Sequence, residues 1–118
     1  MPTLVVVTKV GEFEVSRTEL PDGGSVLHVE GELDMATAPT LEDALADVGF
    51  AERLVVDLTK CTFLDSSAVR VLVSSVRDSE AAGGSLALVV TDPGIRRVLE
   101  ISGVDTMLPV HQALDAAL

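Results

Sequence analysis

The apolar positions of this chain repeat with two different periods. Phe13 and Val15 alternate with Glu12, Glu14 and Ser16, the pattern of a half-buried strand. Pro21-Asp22-Gly23-Gly24 is a turn signal, and Ser25 to Glu30 follows with Leu27 and Val29 on one face. The pair reads as a β-hairpin. Residues 1–11 are either a leader or an extra edge strand.

The period then changes. Thr37 is placed as an N-cap with Pro39 in the first turn, and Leu41, Ala44, Leu45 and Val48 recur at helical spacing until Gly49. Leu54 to Leu58 is apolar apart from Asp57 and suits a short strand buried on both faces. From Ser66 the spacing is helical again, with Val69, Leu72, Val73 and Val76 as the inward stripe and Gly83-Gly84 as the stop. Leu86 to Val90 predicts a second buried strand. Asp92-Pro93 opens a helix with Ile95, Val98 and Leu99 inward, and Gly103 ends it. Met107 to Val110 predicts a short strand that Pro109 confines to a sheet edge, and Gln112 to Leu118 a terminal helix. A hairpin followed by alternating helices and strands is an α/β pattern.

Composition narrows the class. At 118 residues the chain predicts one domain, 1–118, with an aliphatic core that uses three Phe and no Trp or Tyr. The net charge of −11 argues against nucleic acid, which needs clustered Lys and Arg, and suits a basic protein partner or simply a solvated acidic surface. Cys61 is the single cysteine, so no internal disulfide forms, and its position beside a strand predicts a packing role. The run Leu4 to Val7 is too short to span a membrane, and a cytoplasmic protein with no membrane association is expected.

The residues suggest three kinds of chemistry. Serines with His28 or His111 suggest a hydrolase, but no Gly-x-Ser-x-Gly elbow surrounds Ser66 or Ser67, and both histidines read as strand or surface residues. The doublets Gly23-Gly24 and Gly83-Gly84 match no phosphate-binding loop and are accounted for by a turn and a helix stop. Asp65-Ser66-Ser67 opens a helix, where unpaired N–H groups and the helix dipole favour a phosphate. On these residues alone ordinary N-capping is the favoured account, since caps are common and phosphosites rare.

Motifs spread along the chain separate these readings. Gly31-Glu32-Leu33-Asp34 followed by Ala36-Thr37-Ala38-Pro39 is similar to the Gly-Glu-Leu-Asp signature of bacterial anti-sigma factor antagonists. Asp57-Leu58-Thr59 with Phe63-Leu64-Asp65-Ser66-Ser67 resembles their Asp-Leu-Ser…Phe-x-Asp-Ser-Ser-Gly block. Ala82-Gly83-Gly84 before a strand, and Val98-Leu99 with Ser102-Gly103-Val104, fit the second half of the family. The chain thus resembles the STAS-domain anti-sigma factor antagonists (anti-anti-sigma factors) over nearly its whole length.

The resemblance implies a mixed sheet of about four to five strands with helices mainly on one side. It implies that Ser67 is the phosphoacceptor, that Asp65 and Ser66 shape its environment, and that Asp34, Met35 and Thr37 lie on the partner-contact surface. Ala68 stands where the family usually has glycine, and its methyl is expected to alter how closely a kinase loop or partner backbone approaches.

The implied function is a partner switch rather than an enzyme. The unphosphorylated protein would bind an anti-sigma factor of the serine-kinase type and release a sigma factor. Phosphorylation of Ser67 would end binding, with the helix-start amides taking up the phosphate, and a phosphatase would restore it. No cofactor is implied, ATP belonging to the partner kinase. The alternative is a STAS module that is not phosphorylated and serves as a scaffold or ligand sensor in a signalling assembly. No oligomeric state is implied.

Overall fold

The computed structural model describes residues 3–118. Six strands form one sheet in sequence order: β1 (Thr3–Val10), β2 (Phe13–Glu19), β3 (Ser25–Leu33), β4 (Arg53–Leu64), β5 (Ser85–Val89) and β6 (Val110–His111). β1, β2 and β3 pair antiparallel, and β3 through β6 run parallel. The sheet is mixed and somewhat larger than expected, because Thr3–Val10 forms an edge strand.

Strand alternation sorts the aliphatic residues into two layers. Phe13, Val15, Leu27, Val29, Leu54, Val56 and Leu88 face α1 (Ala38–Val48), α2 (Ser66–Ala82) and α3 (Pro93–Ser102). Leu41, Leu45, Leu72 and Leu99 meet them there, each with no more than 1% exposure. Truncating any of these leucines to alanine is expected to cost about 2–5 kcal/mol. The opposite face holds a small cluster, Leu20, Val26, Val55 and Val89, covered by Leu114 and Ala117 of the short α4 (Leu114–Ala117).

Three local expectations are corrected. The buried face of α2 is Ala68, Val71, Leu72, Ser75, Val76 and Ser79, with Val69 and Val73 only half-buried. Small hydroxylated residues take the inward positions, and Ser75 does so by donating its Oγ–H to the Val71 carbonyl (2.7 Å). The α1 start is also different: the Thr37 hydroxyl does not cap the helix. It donates back to the Glu32 carbonyl (2.6 Å) and accepts the Asp34 amide (3.0 Å). Finally, β6 begins after Pro109, whose carbonyl still accepts the Leu88 amide (2.9 Å).

Gly83 in the left-handed conformation ends α2, and Gly84 after it lies tight against the segment before β4. A Cβ there would collide with the carbonyl oxygen of Phe50 and come within 2.6 Å of that of Glu52. Only glycine lets the chain turn that closely into β5.

Candidate functional site at the start of helix α2

β4 does not stop at Leu58; it continues for twelve residues to Leu64. Parallel pairing with β3 carries it on, from Ser25 opposite Leu54 to Leu33 opposite Leu64. Two irregularities, between His28 and Glu30 and between Gly31 and Glu32, absorb the loss of strict alternation and keep Cys61 and Leu64 buried. Cys61 donates its S–H to the Phe63 carbonyl (3.2 Å), and burial pushes its thiol pKa up, which suits packing rather than reactivity.

Because β3 and β4 end side by side, the two loops that follow them meet. The Asp65 amide donates to the Leu33 carbonyl (3.2 Å) and joins them directly. On the β3 side, Asp34 Oδ1 accepts the amides of Ala36 (2.9 Å) and Thr37 (3.1 Å), an Asx turn that holds Met35 outward at 79% exposure. On the β4 side, Asp65 is the N-cap of α2, its Oδ1 accepting the amides of Ser67 (2.9 Å) and Ala68 (3.4 Å).

Ser66 is exposed and Ser67 half-buried on the first turn, with Phe63 exposed just before them. Beside Ser66, Val69, Val98, Ile101 and Ser102 line a shallow depression of about 230 Å³ between α2 and α3. Two acidic loops therefore frame a surface with apolar elements at Met35, Phe63 and Ile101.

Two expectations about this site change. The amides of Ser67 and Ala68 are already bound to the Asp65 carboxylate, so they are not free to take up a phosphate. Ala68 is fully buried in the core, so its methyl faces the sheet and not a docking partner.

The sequence reading missed one further arrangement. His28 Nδ1 lies 2.9 Å from Asp57 Oδ2, its neighbour in the parallel register, and Nε2 lies 3.1 Å from the Thr18 hydroxyl. An ionised carboxylate can only accept, so Nδ1 carries the proton. Burial opposes ionisation of Asp57, but hydrogen bonds from His28 and from the Thr59 amide (3.0 Å) outweigh it and hold the carboxyl below its usual range. Asp57 and Ser66 are separated by most of the remaining strand, on the order of 25 Å at ~3.3 Å per residue. The pair is thus not joined to either serine of α2, and Nε2 is engaged by Thr18 rather than by a serine nucleophile.

With this geometry in hand, comparison with known proteins places the chain. Residues 16–117 match the STAS domain family. The anti-sigma-F factor antagonist RsfA of Mycobacterium tuberculosis is 31% identical over 82% of this chain and 79% of its own. RsfB of the same organism, also an anti-sigma-F factor antagonist, is 33% identical over 82% of this chain and 80% of its own. An anti-sigma factor antagonist from Mycobacterium paratuberculosis, 29% identical, superposes with a TM-score of 0.74 over 99% of this chain and 91% of that one. The chain belongs to the STAS-domain family of anti-sigma factor antagonists.

Proposed function

We propose that this protein binds an anti-sigma factor through the surface around Met35 and Ser67, and that phosphorylation of Ser67 switches the binding off. The observation that carries the reading is the juxtaposition of the two loops through the Leu33–Asp65 hydrogen bond. It ties the start of α2, where Ser67 is half-buried, to the loop whose exposed tip is Met35. Similarity to RsfA and RsfB, named as antagonists of an anti-sigma factor, supports the class of partner. That the partner is also the kinase, using its own ATP, and that a phosphatase resets the switch, completes the proposal. No cofactor of this chain takes part.

Charge supplies the switch. A phosphate adds about −1.5 to −2 charges at neutral pH. Asp65 already occupies two of the helix-start amides, so the phosphate stands next to a carboxylate on the outer surface. The modified patch would repel acidic partner groups and resist desolvation while the core beneath it stays intact. Arg70, one turn further along α2, is within reach of a phosphate on Ser66 or Ser67 and would moderate that repulsion.

Intact-mass analysis with phosphopeptide mapping, on protein taken from its own cells at rest and under stress, tests the proposal. A phosphate on Ser67 that changes with condition is the expected result. Protein unmodified under every condition, with binding retained, favours instead a constitutive STAS scaffold.

A further inference from the structure

β1 is an edge strand with unusual surface chemistry. Leu4, Val5, Val6, Val7 and Val10 are 45–58% exposed, so the strand shows aliphatic side chains to solvent along its length. Among the described residues its outer backbone edge carries no further strand of the sheet. Natural edges are usually blunted by charge, proline or brevity. Here the eight-residue strand has a register shift between Leu4 and Val6, and Lys9 as its one charged residue. The strand also precedes residues 16–117, the part that matches the STAS family.

We infer that β1 is a self-association edge: two copies pair their β1 strands antiparallel about a two-fold axis at Val7, making one continuous sheet. Three observations favour a second copy over another occupant.

Charge is the first. The chain has nineteen carboxylates and a net charge of −11, which opposes contact between copies over most of the surface. Residues Thr3–Val10 hold none of those carboxylates, so here two copies can meet without that repulsion. The Lys9 residues of the two copies fall at opposite ends of the paired strands.

Symmetry is the second. An antiparallel strand pair is self-complementary: about an axis at Val7, Val7 lies opposite Val7, Leu4 opposite Val10, Val6 opposite Thr8 and Val5 opposite Lys9, with aliphatic side chains on both faces of the sheet. The pairing also closes. At the far edge β6 has only two residues and follows Pro109, so the dimer offers no comparable edge for a filament.

Area is the third. The five exposed side chains offer on the order of 400 Å² of apolar surface, as large as the main patch of a typical monomer. Buried on both copies together with the strand backbone, the strip reaches roughly 1,000–1,200 Å², the lower end of specific interfaces. That size fits a dimer dissociating in the micromolar range. Ser67 lies at the end of β4, three strands from β1, and both copies keep it accessible.

Sedimentation velocity of the full chain at about 1–200 μM, a span chosen to bracket a micromolar Kd, tests the inference. The expected result is a concentration-dependent dimer that Val6→Lys with Val7→Lys weakens at least about tenfold, since like charges would then meet at and beside the two-fold axis. In parallel, mild oxidation of Val7→Cys should give a disulfide-linked dimer that wild type, with its single buried Cys61, does not give. This second arm holds even if the double lysine variant folds poorly. A wild-type chain that stays monomeric throughout overturns the inference and leaves the edge to a foreign strand. A dimer indifferent to the lysines and not captured by Val7→Cys overturns it too, by placing the interface elsewhere.

Discussion

The amide of Asp65 donates to the carbonyl of Leu33 at 3.2 Å, and this bond fixes the start of α2 against the loop that presents Met35. On the proposed function, a partner docking on Ser67 would meet Met35 in a set geometry. Met35→Ala is expected to weaken partner binding by about 1–2 kcal/mol without changing thermal stability, as an exposed interface anchor does. Ser67→Glu should weaken binding at least about tenfold through like-charge repulsion, and Ser67→Ala should bind constitutively. Pull-down of the anti-sigma factor from native cells, followed by titration of the recovered partner, checks all three. Wild-type binding by Ser67→Glu and Ser67→Ala alike would sink the phosphoswitch.

Asp65 has a structural role separable from its charge. Its Oδ1 accepts two helix-start amides, so Asp65→Ala should cost about 1 kcal/mol and lower Tm by roughly 3–5 °C. Asn also caps well, so Asp65→Asn should retain most of that stability while removing the negative charge. Thermal melts of the two variants distinguish capping from charge.

Ala68 is part of the core. Ala68→Gly removes a fully buried methyl and loosens the first turn, with an expected loss of about 1–2 kcal/mol. Since the methyl does not face outward, the rate of Ser67 phosphorylation should be unchanged. A faster rate in a kinase assay would mean that the backbone at this position, rather than surface clearance, limits the reaction.

Asp57 gives the fold an acid-sensitive element. Its carboxyl is held below the ordinary value of 3.8, so the folded state favours the ionised form more than the unfolded chain does. That contribution is complete above pH 3.8 and is lost as pH falls through the lowered folded value. Asp57→Asn should therefore be less stable than wild type at pH 5, with the gap closing below pH 3.8. Denaturant titrations at a series of acidic pH values measure that gap; a difference that stays constant to pH 2 would show that the His28 and Thr59 bonds do not favour ionisation.

Much of the site was legible because it is local. Asp65 followed by two serines and an apolar helical run encodes a capped helix start whatever the rest of the chain does. The Asp34–Thr37 segment encodes a tight polar turn in the same way, although its hydroxyl bonds backward to Glu32 and not into α1. The α2 stripe was read slightly off-face because Ser75 and Ser79 look polar in sequence. Inside the helix Ser75 satisfies its hydroxyl with the carbonyl one turn back, which removes the cost of burying it.

By itself the sequence determined the two periods, the Asp65 and Asp92 caps and the glycine stops of the main helices, since each depends on neighbours within a turn or two. Tertiary structure alone decided that β4 runs on to Leu64, that β1 becomes an edge, and that His28 pairs with Asp57 across twenty-nine positions. These follow from strand register, and register is set by burying one face of a sheet against distant helices. No local pattern encodes which residue will stand opposite which.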